Sequence, residues 1–98
     1  MTFEKREEII ELYDIYGSLL TEKQKSYFEC YYFDDLSISE IALNMNVSRN
    51  AVFDQLKRVS QILEEYEAKL KLVDKISKIN KLSITDEEKE KIVNIIRE

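Results

Sequence analysis

The residues best suited to chemistry stand together between positions 48 and 58. Ser48-Arg49-Asn50-Ala51-Val52-Phe53-Asp54-Gln55-Leu56-Lys57-Arg58 mixes cations, amides and an aromatic around Val52 and Leu56, four apart. If the run is helical, Val52 and Leu56 take the inner face. Arg49, Asn50, Phe53, Asp54 and Lys57 then look outward, with Arg58 toward the side. That outer set reads as a nucleic-acid surface. An arginine can place two hydrogen bonds on a guanine edge, and an asparagine two on an adenine edge. Ser48 and the free amides of a first helical turn suit a phosphate, aided by the helix dipole. Lys57 and Arg58 would anchor the phosphate backbone, which positions a protein without reading sequence. Phe53 could touch a thymine methyl, stack on a base or anchor a partner protein. It could equally pack under the N-terminal helix.

Elsewhere the residue types offer catalysis little. The chain has no histidine, which removes the commonest general base and the commonest transition-metal ligand. It shows no phosphate loop, dinucleotide fingerprint or nucleophile elbow. Cys30 has no cationic neighbour in sequence to activate it and reads as a structural thiol. The pairs Asp34-Asp35, Glu64-Glu65 and Glu87-Glu88 diverge by about 100° if helical, so solvated charge is expected rather than a metal. The expectation is a protein that is not an enzyme and takes no cofactor or metal.

Charge is unevenly distributed. The net charge is −5, the wrong sign for a generic nucleic-acid binder. Residues 1–46 carry −6 and residues 84–98 carry −2, but residues 47–83 carry +3. The cations are therefore gathered around and after the candidate surface.

The elements that must position this surface are helices. No proline and one glycine leave few means of making hairpins. Glu4 to Tyr16 shows an apolar stripe of Ile9, Ile10, Leu12, Tyr13 and Tyr16, with Gly17 placed for a left-handed helix end. Thr21 with Gln24 forms a capping box for a second helix, whose Tyr27, Phe28, Tyr31, Tyr32 and Phe33 are expected in the core. Ser37 with Glu40 forms another box, and Leu36 and Ile41 stand at the positions of a hydrophobic staple. Asn46 suits a left-handed turn. Ser48 caps the next helix, with Val47 able to staple to Val52. Two capped helices joined by a short turn make a helix-turn-helix at about residues 37–58. Thr85 with Glu88 opens a final helix. The whole is expected to be one all-α domain over residues 1–98, with a long helix and C-terminal extension over about 59–98. No apolar run of about 18 residues exists to span a membrane. Met1 to Glu8 shows no secretory leader, and a lone cysteine fits a reducing cytosol, so a cytoplasmic location is expected.

Two runs carry a resemblance, Tyr31-Tyr32-Phe33-Asp34-Asp35-Leu36-Ser37-Ile38-Ser39-Glu40-Ile41-Ala42 and Val47 to Arg58, with the continuation Leu63-Glu64-Glu65-Tyr66-Glu67. Together they resemble the YlxM family of small bacterial helix-turn-helix proteins, over about Glu4–Val73. Phe53 and Asn50 stand where that pattern has tyrosine and glutamine. The resemblance implies a helix-turn-helix bundle similar to region four of bacterial sigma factors. It also implies genes lying beside those of the signal recognition particle GTPase or its receptor.

From Val52 the apolar residues Leu56, Val59, Leu63, Tyr66, Leu70 and Val73 follow at alternating steps of four and three, a heptad seam. The seam can pack along the chain's own first helix. Alternatively Val59, Leu63, Tyr66, Leu70 and Val73 can pair with a second chain, giving a homodimer with two symmetric recognition helices. Two functional readings result. One is a DNA-binding regulator acting through Ser48–Arg58. The other is an accessory factor of the signal recognition particle, meeting its protein through acidic surface or its RNA through the basic segment, without specific DNA binding.

Overall fold

The computed structural model describes residues 3–98 and runs through six helices: α1 (Phe3–Tyr16), α2 (Glu22–Tyr32), α3 (Ile38–Met45), α4 (Arg49–Leu70), α5 (Leu72–Asn80) and α6 (Asp86–Arg97). Met1 and Thr2, the start of the run read for a leader, lie outside the described residues. Among the described residues there is no strand and no helix long and apolar enough to cross a membrane.

Side-chain caps set four of these starts. Thr21, Ser37 and Thr85 each accept from the amide three residues on, and Gln24, Glu40 and Glu88 return the bond to the cap's own amide. Ser48 accepts from the Ala51 amide at 3.1 Å. Each such cap satisfies an amide that the helix cannot, and contributes about 1 kcal/mol.

Helix α4 is the spine against which α1, α2 and α3 pack. Two clusters share its buried side. Val59 and Leu63 meet Ile9 and Tyr16 of α1, Leu20, and Phe28 and Tyr32 of α2. Val52 and Leu56 meet Tyr27 of α2 and Ile41 and Ala42 of α3, with Leu36 and Val47 against them. Tyr13 stacks on Phe28 with ring centres 4.1 Å apart and planes 7° from parallel. Fully burying each large apolar side chain contributes about 1.5–3 kcal/mol, so these twelve residues fix the angle between the helices. Of the aromatics expected in the core, Tyr27, Phe28 and Tyr32 are buried, Tyr31 is half-buried, and Phe33 is exposed.

Three expectations need correction. Gly17 adopts no left-handed conformation; it opens a 3-10 turn, Gly17–Leu19. It is a glycine because a Cβ there would stand 3.1 Å from the Tyr13 ring. Of the two courses open to the heptad seam, Val59 and Leu63 take the first, being covered by the chain's own α1 and α2 rather than left for a second chain, and Tyr66 lies against Tyr16 with ring centres 5.8 Å apart. Only Leu70 is exposed, at 44%. The seam also does not run in one helix to Val73, because the chain breaks at Lys71, which is left-handed at φ 54°.

Candidate nucleic-acid interface

Two devices aim the outer face of α4. Asn46 is left-handed at φ 54° and ends α3, so the chain reverses within two residues before Ser48 caps the next helix. An asparagine tolerates this conformation because its short side chain can bond locally. Val52 and Leu56, buried between α2 and α3, then set the rotation of α4 about its axis.

With that rotation, Ser48, Arg49, Asn50, Phe53, Lys57 and Arg58 are all exposed. Arg49, Phe53 and Lys57 form a row at four-residue spacing, and Asn50 and Asp54 form the next row. Among the described residues, Arg49, Lys57 and Arg58 make no ion pair or hydrogen bond, so three cations face outward uncompensated within the chain. The hydroxyl oxygen of Ser48 is occupied by the Ala51 amide. The Arg49 and Asn50 amides, at the first two helical positions, have no intrahelical acceptor, which leaves them for a ligand oxygen at the positive end of the dipole. The exposed Asp54 carboxylate opposes that role.

Phe53 is 56% exposed and forms one wall of a groove of about 310 Å³. Tyr31, Ile38 and Leu56 line its apolar part, and Lys5, Lys57 and Gln61 its polar part. Sequence reasoning missed Gln61, although it continues the row of Arg49, Phe53 and Lys57. Lys5 comes from α1 and had no local signal. Leu43 was also missed; it is 82% exposed on α3, off the inward face of Ile38, Ile41, Ala42 and Met45.

A second concavity is strongly acidic. An open trough of about 920 Å³ runs between α1 and α2, with Glu7, Glu11, Asp14, Glu22 and Glu29 around it and, among the described residues, Lys25 as the one cation in its lining. Cys30 lies half-buried; burial first, then the carboxylates of Asp34 and Glu29, raise its thiol and keep it protonated. Among the described residues no three histidine, cysteine or carboxylate side chains gather as a metal site would require.

A family-wide sequence profile described as "Putative helix-turn-helix protein, YlxM / p13 like" matches residues 3–97. The protein YlxM of Bacillus subtilis (strain 168) is 44% identical over 103 residues, spanning 98% of this chain and 94% of that protein. A protein of Bacillus cereus (strain AH187) is 54% identical over 71 residues, spanning 72% of this chain and 64% of its own length.

Proposed function

Because the chain belongs to the YlxM / p13-like family of helix-turn-helix proteins, we propose that it is a DNA-binding regulatory protein of the cytoplasm that uses α4 as its recognition helix. One observation carries this reading: the three cations and the asparagine on the outer face of a capped helix are exposed and unpaired within the chain. Arg49 and Asn50 enter the major groove and meet base edges. The Arg49 and Asn50 amides take a phosphate at the helix N-terminus. Lys57 and Arg58 hold the flanking backbone, and Phe53 meets a thymine methyl or a base face. Two copies present two such helices to a symmetric site.

Gel-shift titration of duplex DNA of varied sequence tests this reading. Arg49→Ala weakens the preferred duplex by about 1–3 kcal/mol and flattens the preference at one base pair. Equal binding by the variant and the parent protein, or no preferred sequence, overturns it.

The acidic trough between α1 and α2 favours a second reading. Five carboxylates around an open concavity complement a basic protein surface and speed encounter with it. In that reading the chain is an accessory factor of the signal recognition particle, with the trough on its protein and the α4 face on its RNA. Co-sedimentation with the purified particle protein and RNA at low salt separates the two: association abolished by Glu7→Lys with Glu11→Lys, but not by Arg49→Ala, selects the protein contact.

A further inference from the structure

The joint between α4 and α5 is held from outside itself. Lys71 is left-handed at φ 54° and ψ 35°, a conformation disfavoured for a residue with a Cβ, and its side chain caps nothing. The amides that open α5 find their partners elsewhere. The Leu72 amide donates to the Tyr16 hydroxyl at 3.0 Å, and that hydroxyl donates to Glu67 Oε1 at 2.6 Å. The Val73 and Asp74 amides donate to the two oxygens of the same carboxylate at 3.1 and 3.2 Å. A buried tyrosine of α1 and one glutamate of α4 thus fasten the bend.

Beyond the bend the hairpin of α5 and α6 is loosely seated. It has no fully buried residue. A gap of about 240 Å³ lies where Ile15 of α1 faces Val73 and Ile76 of α5. The ion pair of Arg97 with Asp14 at 3.1 Å ties α6 to α1 on the exposed surface. Meanwhile the apolar spacing of α4 continues through the bend, from Tyr66 to Leu70 to Val73, as though the helix did not stop.

We propose that the α5–α6 hairpin is exchanged between two copies of this chain: Lys71 straightens, α4 and α5 fuse into one helix, and each hairpin seats on α1 of the other copy. This deepens the two-copy reading above and rests on it. Fusion loses no backbone hydrogen bond, because the amides of Leu72, Val73 and Asp74 pass to the carbonyls of Ala68, Lys69 and Leu70 four residues back. Lys71 leaves the left-handed region. The hairpin keeps the contacts with Ile15 and Asp14 that it already makes, which is why exchange of an element is an accessible route to a dimer. The fused helix of residues 49–80 would be about 48 Å long and would bring Leu70 and Val73 onto one stripe for the second copy. A second copy is the fitting occupant because the α1 surface is already matched to this hairpin.

Light scattering after size exclusion, and thiol cross-linking of mixed full-length chains, test the exchange. The parent chain should dimerise with rising concentration. Lys71→Gly, which favours the bend and disfavours the fused helix, should raise the dimer dissociation constant by about tenfold or more. In a Cys30→Ser background, chains carrying Asp14→Cys mixed with chains carrying Arg97→Cys should give a covalent pair. A monomer at every concentration overturns both the exchange and the two-copy reading. A dimer that is indifferent to Lys71→Gly, or that gives no link between positions 14 and 97 of different chains, overturns the exchange alone and leaves two copies paired by another surface.

Discussion

Asp54 is the one carboxylate on the outer face of α4 between Arg49 and Lys57. A phosphate approaching that row meets attraction from three cations and repulsion from this group. Removing one exposed charge of this kind is worth about 0.5–1 kcal/mol, so Asp54→Asn should tighten nucleic-acid binding about two- to fivefold in fluorescence anisotropy. Gly17 makes a different demand. A methyl at its Cβ position would stand 3.1 Å from the Tyr13 ring, which is itself stacked on Phe28 and cannot readily yield. Gly17→Ala should therefore cost about 1–3 kcal/mol in urea denaturation, as overpacking does. Tyr16 adds a pH dependence. Burial, and then its bond to Glu67, push the phenol up from 10 to about 12. The folded state thus prefers the protonated form. Its contribution is whole below pH 10 and is lost as pH rises through about 12. Circular dichroism across that window should show alkaline unfolding that Tyr16→Phe moderates. At this scale the exposed residues Arg49, Asn50, Phe53, Lys57 and Arg58 were legible from helical spacing alone. The role of Gly17 was not, because it depends on how a neighbouring ring packs.

The elements were legible where a local signal defines them. Thr21, Ser37, Ser48 and Thr85 all cap the helices that their sequence context predicts, because a cap is a contact within three residues. Ser48 matters most for the candidate surface, since it fixes the start of the helix that carries it. Ser48→Ala should lower stability by about 1 kcal/mol in thermal unfolding, while Ser48→Asp should retain most of it. The break at Lys71 was illegible for the opposite reason. A heptad pattern records which side of a helix is apolar and says nothing of a tyrosine hydroxyl 56 residues away that satisfies the next helix's first amide. The same limit affected the seam. Its spacing correctly identified Val59 and Leu63 as inward, but whether their cover comes from α1 or from a second chain is set by long-range packing.

Across the whole molecule, charge and burial are divided by region. The structure measures about 50 by 23 by 20 Å, with its buried residues confined to the layer formed by α1 to α4 and the turn between α1 and α2. With none of its side chains fully buried, the α5–α6 hairpin should exchange its amide hydrogens faster than the middle of α4. The acidic trough between α1 and α2 shares no lining residue with the cations Arg49, Lys57 and Arg58 of α4, so a net charge of −5 coexists with a local positive surface. The +3 segment of the sequence locates this only in part: residues 49–70 of α4 carry four basic and four acidic side chains and the excess falls on residues 71–83, so the positive face is local to Arg49, Lys57 and Arg58. Uptake of nucleic-acid phosphates is the role proposed for this surface. Its most direct measurement is the salt dependence of duplex binding by the full chain. The two cation–phosphate contacts of Lys57 and Arg58 predict a slope of log affinity against log salt near −1.8 for each copy bound, reduced in magnitude by about one in Lys57→Ala. Binding without salt dependence, or a slope that Lys57→Ala and Arg58→Ala leave unchanged, would contradict it.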